Sequence, residues 1–223
     1  MTPLAHPRVA RSTGSPIVDI VFSADPSEID AIFGRGTRKL IGVLHRRFWP
    51  RRRAMLLKRA IAGQIDHREY LQLAGTDGEV VADLRNPDNK WDDRVREFLS
   101  LRDFIEGYDP EKPMPTVLIR DWADTEAGVL VDGRAVPGCV LDLAVALSLG
   151  SDLLRAGETA FWVDMPEAED SDEFKLWSDL ISLAEDRLGI ERGTVKIRTV
   201  TPPDDGDDDS SDSDDSEIVG ALA

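Results

Sequence analysis

The sequence predicts an α/β protein in which helices cover a largely parallel sheet. From Gly75 onwards, strand-like and helix-like segments alternate, which is typical of parallel strands joined by crossover helices. The apolar run VLI at 117–119 lies between Pro115 and a polar break at Asp121, as expected of a strand buried on both faces. With 223 residues and 41% apolar content, the chain is long enough for a sizeable core.

The chain begins with a polar stretch that is predicted to be loose. Residues 1–24 are rich in Ser, Thr, Pro and Gly, and contain one candidate short strand at 17–22 (IVDIVF). A helix start follows, with an N-cap, a proline at the first helical position and an acid three residues after the cap. These residues are Asp25, Pro26, Ser27 and Glu28.

Residues 25–74 are predicted to form a helical N-terminal segment. Gly34 is expected to end the first helix and Thr37 to cap the second. Pro50 is expected to break or re-cap that second helix, which then resumes to about residue 65.

Residues 75–201 are predicted to form one α/β unit. After Arg120, a polar turn is expected to lead into a second strand that a Pro137-Gly138 corner closes. The last helix should start at Asp170 or Ser171 and stop at Gly189. The expected strands are 79–84, 117–119, 159–163 and 194–200, and the expected helices are 91–105, 140–154 and 171–188.

Arg120 is the leading candidate for a functional residue. It follows a predicted buried strand, and α/β folds place ligand-binding groups at the carboxyl ends of their strands. The alternative, which composition alone favours, is that Arg120 pairs with a nearby acid such as Asp121 or Asp124.

The formal charge of -16 is concentrated in a C-terminal acidic tail at 202–223. Of the 43 acids, nine lie at 204–217, which leaves 34 acids against 27 bases elsewhere. That balance argues against a nucleic-acid partner. The tail is predicted to be disordered and to serve as a solubilising or interaction segment, because it lacks the apolar content to fold. Its spacing does not fit a calcium loop, since Gly206 would take the first ligand position.

A dense basic cluster surrounds Pro50. Interleaved with two aromatic residues, it could form a phosphate-binding or nucleic-acid patch. The favoured alternative is a helix face whose bases pair with acids elsewhere. The cluster consists of Arg46, Arg47, Arg51, Arg52, Arg53, Lys58 and Arg59.

No metal site or disulfide is expected. Cys139 is the single cysteine and is predicted to be a small core residue in a reducing, cytoplasmic compartment. His6, His45 and His67 lack a second ligand at helical spacing, so they are predicted to be surface or packing residues. The acids between Asp164 and Glu173 could hold a cation, although a charged loop opening a helix is commoner. Neither a membrane span nor a signal peptide is predicted.

Three stretches resemble malate synthase of the A type. They are LHRRFWPRRRAMLLKRA at 44–60, VLVDGRAVPG at 129–138 and LWSDLISLAEDRLGIERGTVK at 176–196. The resemblance covers about 44–200, and its last stretch is the most specific. It implies that 75–201 is a partial, half TIM barrel, since four of the eight strands of such a barrel are identified.

The resemblance also implies a chemistry. Malate synthases condense acetyl-CoA with glyoxylate, using a carboxylate base, a magnesium ion and an arginine that stabilises the enolate. By position Arg120 matches that arginine, as a relic that would stabilise an enolate or carboxylate. The family's acidic strand end ADFED appears at 82–86 as ADLRN, so that Asp83 matches its first acid while Arg85 and Asn86 replace the other two. Asp83 and Arg85 are the candidate substrate-binding residues.

The sequence departs from the family where the metal and base are expected. Pro202 stands at about the position of the magnesium-binding glutamate, and proline cannot bind a metal. The remaining ligand and the base have no counterpart in this sequence. No cofactor is therefore expected, with magnesium implied only if activity remains.

Two functional hypotheses follow. In the first, this is a truncated, catalytically incomplete malate synthase relative, a pseudoenzyme that acts as a binding or scaffold module. In the second, it is an acyltransferase or related lyase that is active only with a complementing chain. In both, the open sheet edges call for a protein partner or self-association.

Overall fold

The computed structural model describes residues 17–20, 26–61, 80–84, 91–109, 116–157, 161–165 and 171–199. Its centre is a four-stranded parallel sheet in the order β2-β3-β6-β7. The α/β prediction with a parallel sheet is therefore confirmed, and within the described residues the sheet is not closed into a barrel. The strands are β2 (Val80–Asp83), β3 (Thr116–Leu118), β6 (Phe161–Met165) and β7 (Val195–Thr199).

Three helices follow the strands along the chain and pack against them. The most apolar is α4, most of whose side chains are buried. Trp122 and Trp177 are fully buried and lie with ring centroids 4.7 Å apart, which joins the loop after β3 to the last helix. The helices are α3 (Trp91–Glu106), α4 (Gly138–Ala156) and α5 (Ser171–Leu188), close to the predicted bounds.

The N-terminal part contains one short strand and two helices. They are β1 (Val18–Ile20), α1 (Pro26–Ile32) and α2 (Arg35–Ile61). The strand lies inside the predicted 17–22 stretch, and α1 begins at the predicted proline. Arg35 rather than a Thr37 cap begins α2, and Thr37 lies buried inside the helix.

The prediction that Pro50 breaks or re-caps the second helix is wrong, because α2 runs through it without interruption. Pro50 is exposed, so the carbonyl that loses its helical donor faces water rather than the core. Leu44 and Phe48 are buried on the opposite side of α2. Packing of that apolar side outweighs the local cost of the proline.

The segment after Arg120 differs from the prediction of one strand closed by a Pro-Gly corner. It forms an antiparallel hairpin, β4 (Thr125–Val131) and β5 (Arg134–Pro137), and β1 completes a separate three-stranded sheet. The turn is Asp132-Gly133, with φ of 51° and 75°. Positive φ at both positions is typical of a type I′ hairpin, and Asp-Gly is a preferred pair there.

Several predicted features lie outside the described residues. They are the Asp25 cap, the continuation of the helix to residue 65, Arg85, His6, His67, Pro202 and the acidic tail. These predictions stay predictions. Among the described helices, none combines the length and the apolar character that crossing a membrane requires.

His45 is a buried packing residue of α2. Only 3% of it is exposed, its ring stacks on Trp49 with centroids 5.0 Å apart, and its Nδ1 has no hydrogen-bond partner in the described part of the chain. Burial lowers the pKa of His45 to about 4, and Arg134 adds to that shift. Of the other charged groups that face it, Asp132 opposes the shift while Arg52 and Arg46 strengthen it.

We predict that His45 makes the protein less stable as the pH falls. In the unfolded chain the pKa of His45 is near 6.5, so the unfolded state binds a proton as the pH falls below that value. In the folded state the same ring binds a proton only near pH 4. Between about pH 7.5 and 5.5, this group should lower the free energy of unfolding by about 1.4 kcal/mol. Urea denaturation of the native protein and of His45→Gln at both pH values would measure it. An identical pH dependence in the two proteins would contradict the assignment.

Candidate functional site

Arg120 lies two residues beyond the carboxyl end of β3, and only 2% of it is exposed. Its guanidinium group forms a two-pronged ion pair with Asp142 of α4, from Nε at 2.9 Å and from Nη2 at 2.6 Å. The backbone N–H of Arg120 donates to the same carboxylate at 3.1 Å. Asp142 therefore holds both the main chain and the side chain of Arg120.

A second carboxylate completes the arrangement. Arg120 Nη1 donates to Glu126 Oε2 of β4 at 3.1 Å, and Arg94 Nη1 of α3 donates to the same oxygen. All four groups are nearly buried, and they come from four segments of the chain. We call Arg94, Arg120, Glu126 and Asp142 the buried ion cluster.

The charges of this cluster support one another. Burial alone would lower the pKa of Arg120, but attraction to Asp142 and Glu126 outweighs it and raises that pKa above its ordinary value. Complete burial raises the pKa of Asp142, against the opposing effect of Arg120. Arg120 therefore stays positively charged, and the carboxylates of Asp142 and Glu126 balance its charge.

Gly138 leaves the space that Arg120 occupies. A Cβ atom at this position would lie 2.7 Å from Arg120 Nε and 3.0 Å from Arg120 Cβ and Cδ. Gly138 is the first residue of α4, and its N–H donates to the carbonyl of Asp124 at 2.9 Å. The Pro-Gly corner therefore sets the distance between the start of α4 and the arginine.

The prediction that Arg120 pairs with an acid is confirmed. Its partners are Asp142 and Glu126, however, and not the suggested Asp121 or Asp124. Sequence reasoning missed Asp142, although a signal was present. It is the one charged residue in the apolar run CVLDLAVALSLG, and a charge inside an apolar helix needs a buried partner. Glu126 and Arg94 had no comparable signal, because each lies among other charged residues.

Of the two candidate substrate-binding residues, the structure describes only Asp83. Asp83 is the last residue of β2, and its register partner in β3 is Leu118, two residues before Arg120. The backbone thus brings Asp83 to the same edge of the sheet as Arg120. Arg85 lies outside the described residues, and a substrate-binding role for either residue stays a prediction.

The basic cluster of α2 pairs largely with acids, as the favoured alternative predicted. Arg52 donates to the carbonyls of Trp122 and Ala123, and Arg59 pairs with Glu173 at 2.5 Å and with Asp121 at 3.7 Å. These contacts fasten α2 to the loop after Arg120. The exposed pairs are Arg46 with Asp132, Arg51 with Asp179, and Lys58 with Asp172.

The stretch with the most specific resemblance forms a structural turn between α5 and β7. Glu185 is buried, and its carboxylate accepts the backbone N–H groups of Gly193 at 3.2 Å and Val195 at 2.9 Å. Burial raises the pKa of Glu185 against the effect of those two hydrogen bonds. Asp186 and Arg192 close the same turn with an ion pair at 2.6 Å.

The described carboxylates do not fit a magnesium site. Asp164 of β6 lies at the carboxyl end of its strand, but both its oxygens accept hydrogen bonds from Arg198 of β7, at 2.8 and 3.0 Å. Asp142 and Glu126 are likewise bound by arginines, which would compete with a cation. Among the described residues no group of three metal-ligating side chains is found, and we derive no step through a metal ion.

We predict that Asp142→Ala lowers the free energy of unfolding by about 3 to 5 kcal/mol, because it leaves Arg120 buried without its main counter-charge. The double variant Arg120→Gln/Asp142→Asn removes both charges and should cost clearly less than the sum of its two single changes. Urea denaturation of the three variants measures the coupling.

The matched control for this prediction is Asp186→Ala, which breaks an exposed pair and should change the free energy of unfolding far less. If Asp142→Ala is no more costly than Asp186→Ala, then the buried ion cluster does not stabilise the fold as described.

Comparison with known proteins finds similarity to malate synthases. A profile for the malate synthase TIM barrel domain matches residues 116–201, the part that carries the buried arginine and three of the four parallel strands. Malate synthase of Myxococcus xanthus is 26% identical over 151 residues, and malate synthase A of Escherichia coli is 29% identical over 153. Both matches cover 61% of this chain. Glyoxysomal malate synthase of Candida tropicalis is 34% identical over 85 residues, 37% of this chain.

These matches extend over a minor part of each relative. The aligned region spans 28% of the Myxococcus xanthus and Escherichia coli proteins and 15% of the Candida tropicalis protein. The buried arginine, three strands of the parallel sheet and the turn between α5 and β7 lie within the matched range. The chain is therefore a malate synthase-like protein by its similarity to part of that family's TIM barrel domain.

Proposed function

We propose that this chain is a catalytically incomplete relative of malate synthase that acts as a binding or scaffold module. The observation that carries the proposal is the state of Arg120. Its guanidinium is 2% exposed and is bound by Asp142 and Glu126. An arginine that is to meet a developing oxyanion needs donors aimed at the reacting atom. Here three donors of the side chain are used to hold α4 and β4.

The carboxylate contacts also support the scaffold proposal. Malate synthase chemistry, as the resemblance implies it, needs a magnesium ion and a free carboxylate base. In the described part of the chain, the acids nearest to Arg120 are bound by arginines, and Asp164 at the end of β6 is bound by Arg198. These acids stabilise the fold and are not available as a base.

A second candidate function is an acyltransferase that needs a complementing chain to condense acetyl-CoA with glyoxylate. One observation favours it: Arg120 and the backbone of Asp83 lie at the same edge of the parallel sheet, where such folds bind substrates. A rigidly held arginine is also pre-organised for catalysis. In this alternative, another polypeptide would supply the metal ligands and the base.

Both candidates include a protein partner or a second copy of the chain. In the described residues β2 pairs with β3 alone and β7 with β6 alone, so each of these strands has one side without a strand partner. Such edges in soluble proteins are normally covered or paired. We infer that covering these edges is what a partner does for this chain.

The proposal predicts that the purified chain releases no free CoA thiol from acetyl-CoA in the presence of glyoxylate and magnesium. Thiol release is followed colorimetrically with the chain alone, with extract from its source, and with extract that lacks the chain. Release by the chain alone would overturn the scaffold proposal. No release beyond that of the extract would support it.

Release that requires both the chain and the extract would instead support the complementation hypothesis, if Arg120 is responsible. The variant to use is Arg120→Gln/Asp142→Asn, because Arg120→Ala alone would leave Asp142 buried without its partner. Loss of a stabilising charge on the order of 3 kcal/mol would reduce the rate by about 150-fold. Asp186→Ala, which changes an exposed pair, is the matched control and should keep the full rate.

The partner proposal predicts that the β7 edge of the isolated monomer is unprotected. Sedimentation equilibrium tells whether the chain associates above its mass of 24.7 kDa, and hydrogen exchange reports on the strands. A dimer in which β7 amides are protected would identify a second copy as the cover. Monomers in which β7 amides exchange as slowly as those of β3 would contradict the need for a partner.

A further inference from the structure

The exposed side of α2 carries positive charge that the fold does not use. The helix has ten cationic residues and no acid over 27 residues. Five of its cations form ion pairs with acids, and Arg52 binds two carbonyls. The other four are exposed and form no ion pair with any described residue: Arg35, Lys39, Arg47 and Arg53.

Three of these side chains line one elongated strip along α2, and Arg47 lies at its edge. Arg35 and Arg53 are 18 residues apart, about 27 Å along the helix. At 100° per residue, Lys39 and Leu57 fall within about 40° of both, and Arg47 lies about 120° from both on the same exposed side. Leu57 is one of the large apolar side chains that the protein exposes, at 60%. We call Arg35, Lys39, Arg47, Arg53 and Leu57 the α2 outer face.

We propose that the α2 outer face is the docking surface for the chain's own acidic segment, residues 204–217. This segment has nine acids in 14 residues and no cation. Its closely spaced negative charges complement the closely spaced positive charges of α2. The paired cations of α2 set a precedent, because they bind acids or carbonyls from other elements of the same chain.

The topology brings the two regions close together. Thr199 at the end of β7 pairs in register with Met165 at the end of β6, so the two lie about 5 Å apart. From Met165, the six residues to Ser171 can span at most about 20 Å before α5 begins. The second residue of α5, Asp172, lies 3.8 Å from Lys58 near the end of α2. The acidic segment therefore leaves the sheet near the C-terminal end of the α2 outer face.

The length of chain after β7 is sufficient to reach the surface. From Thr199 to Glu217 there are 18 residues, which can extend about 60 Å. That exceeds the 27 Å between Arg35 and Arg53 and leaves about 33 Å for the approach from the sheet. A segment of this length can therefore follow the α2 outer face from Arg53 towards Lys39.

Because the acidic segment is linked to the same chain, we favour it over an external polyanion as the ligand of the α2 outer face. Each exposed ion pair contributes only about 0.2 to 1 kcal/mol, but a linked segment is present at an effective concentration in the millimolar range. A nucleic acid would have to approach a protein of net charge -16 from solution. Several weak pairs within one chain avoid that repulsion at long range. The contact should weaken with salt, since exposed charges are screened within about 8 Å at physiological ionic strength.

The test is paramagnetic relaxation enhancement on the full chain. A nitroxide is attached at Ser213→Cys, and Cys139 does not compete because it is fully buried. We expect the amide signals of Lys39, Arg47 and Arg53 to be lost with the oxidised label and restored by its reduction or by 0.5 M NaCl. No loss of these signals would overturn the proposal.

A pair of charge-matched variants makes the test specific. Lys39→Gln/Arg47→Gln/Arg53→Gln should abolish the loss of signal along α2. Lys175→Gln/Arg187→Gln/Lys196→Gln removes three exposed cations from α5 and β7 and should leave the effect intact. Equal effects of the two triple variants would overturn the proposal in favour of general charge attraction.

Two further outcomes separate the occupants. If signal loss appears only when labelled and isotope-enriched chains are mixed, the acidic segment docks on another copy, and the proposal is wrong. If a single-stranded oligonucleotide binds the unmodified chain through the same three side chains and displaces the label, the surface serves nucleic acid instead. Signal loss that is independent of protein concentration and unaffected by the oligonucleotide supports docking within one chain.

Discussion

The buried ion cluster is the constraint on which the rest of the structure depends. Arg120, Asp142, Glu126 and Arg94 join the parallel sheet, the hairpin sheet and two helices through charges that are almost wholly out of water. Buried charges of this kind are costly unless each has its partner, so the cluster tolerates one arrangement of these elements. It also fixes the chemistry that Arg120 can perform, because a guanidinium that holds two carboxylates in place has fewer donors for a substrate.

The second organising element is α2, because six of its ten cations bind acids or carbonyls in other parts of the fold. Arg52 and Arg59 hold the loop that follows Arg120, and Arg51 and Lys58 reach α5. An arginine-rich helix in an acidic chain thus replaces part of the apolar packing that a small α/β unit needs. The same logic explains why Pro50 is tolerated: contacts on both sides of the proline keep the helix continuous.

Local patterns predicted the secondary structure well, and the long-range contacts poorly. The strand-helix alternation and the end of α5 at Gly189 could be predicted because each depends on neighbouring residues. The hairpin was not predicted, although Asp-Gly at 132–133 between two apolar runs is a strong local signal for one. The partners of Arg120 could not be read from spacing, since Asp142 is 22 residues away and Glu126 enters from another sheet. Asp142 alone could have been suspected, as a charge in an apolar helix.

The residues with the most specific resemblance to malate synthase have structural roles in this chain. In the stretch at 176–196, Glu185 binds two backbone N–H groups and Asp186 pairs with Arg192, so both acids shape the return from α5 to β7. Trp177 fills the core against Trp122. Glu185, Asp186 and Arg192 maintain the connection from α5 to β7. None of these three residues is bound to Arg120, whose side-chain partners are Asp142 and Glu126. The strongest part of the resemblance therefore supports a shared fold, whereas activity depends on groups around Arg120 that this fold binds internally.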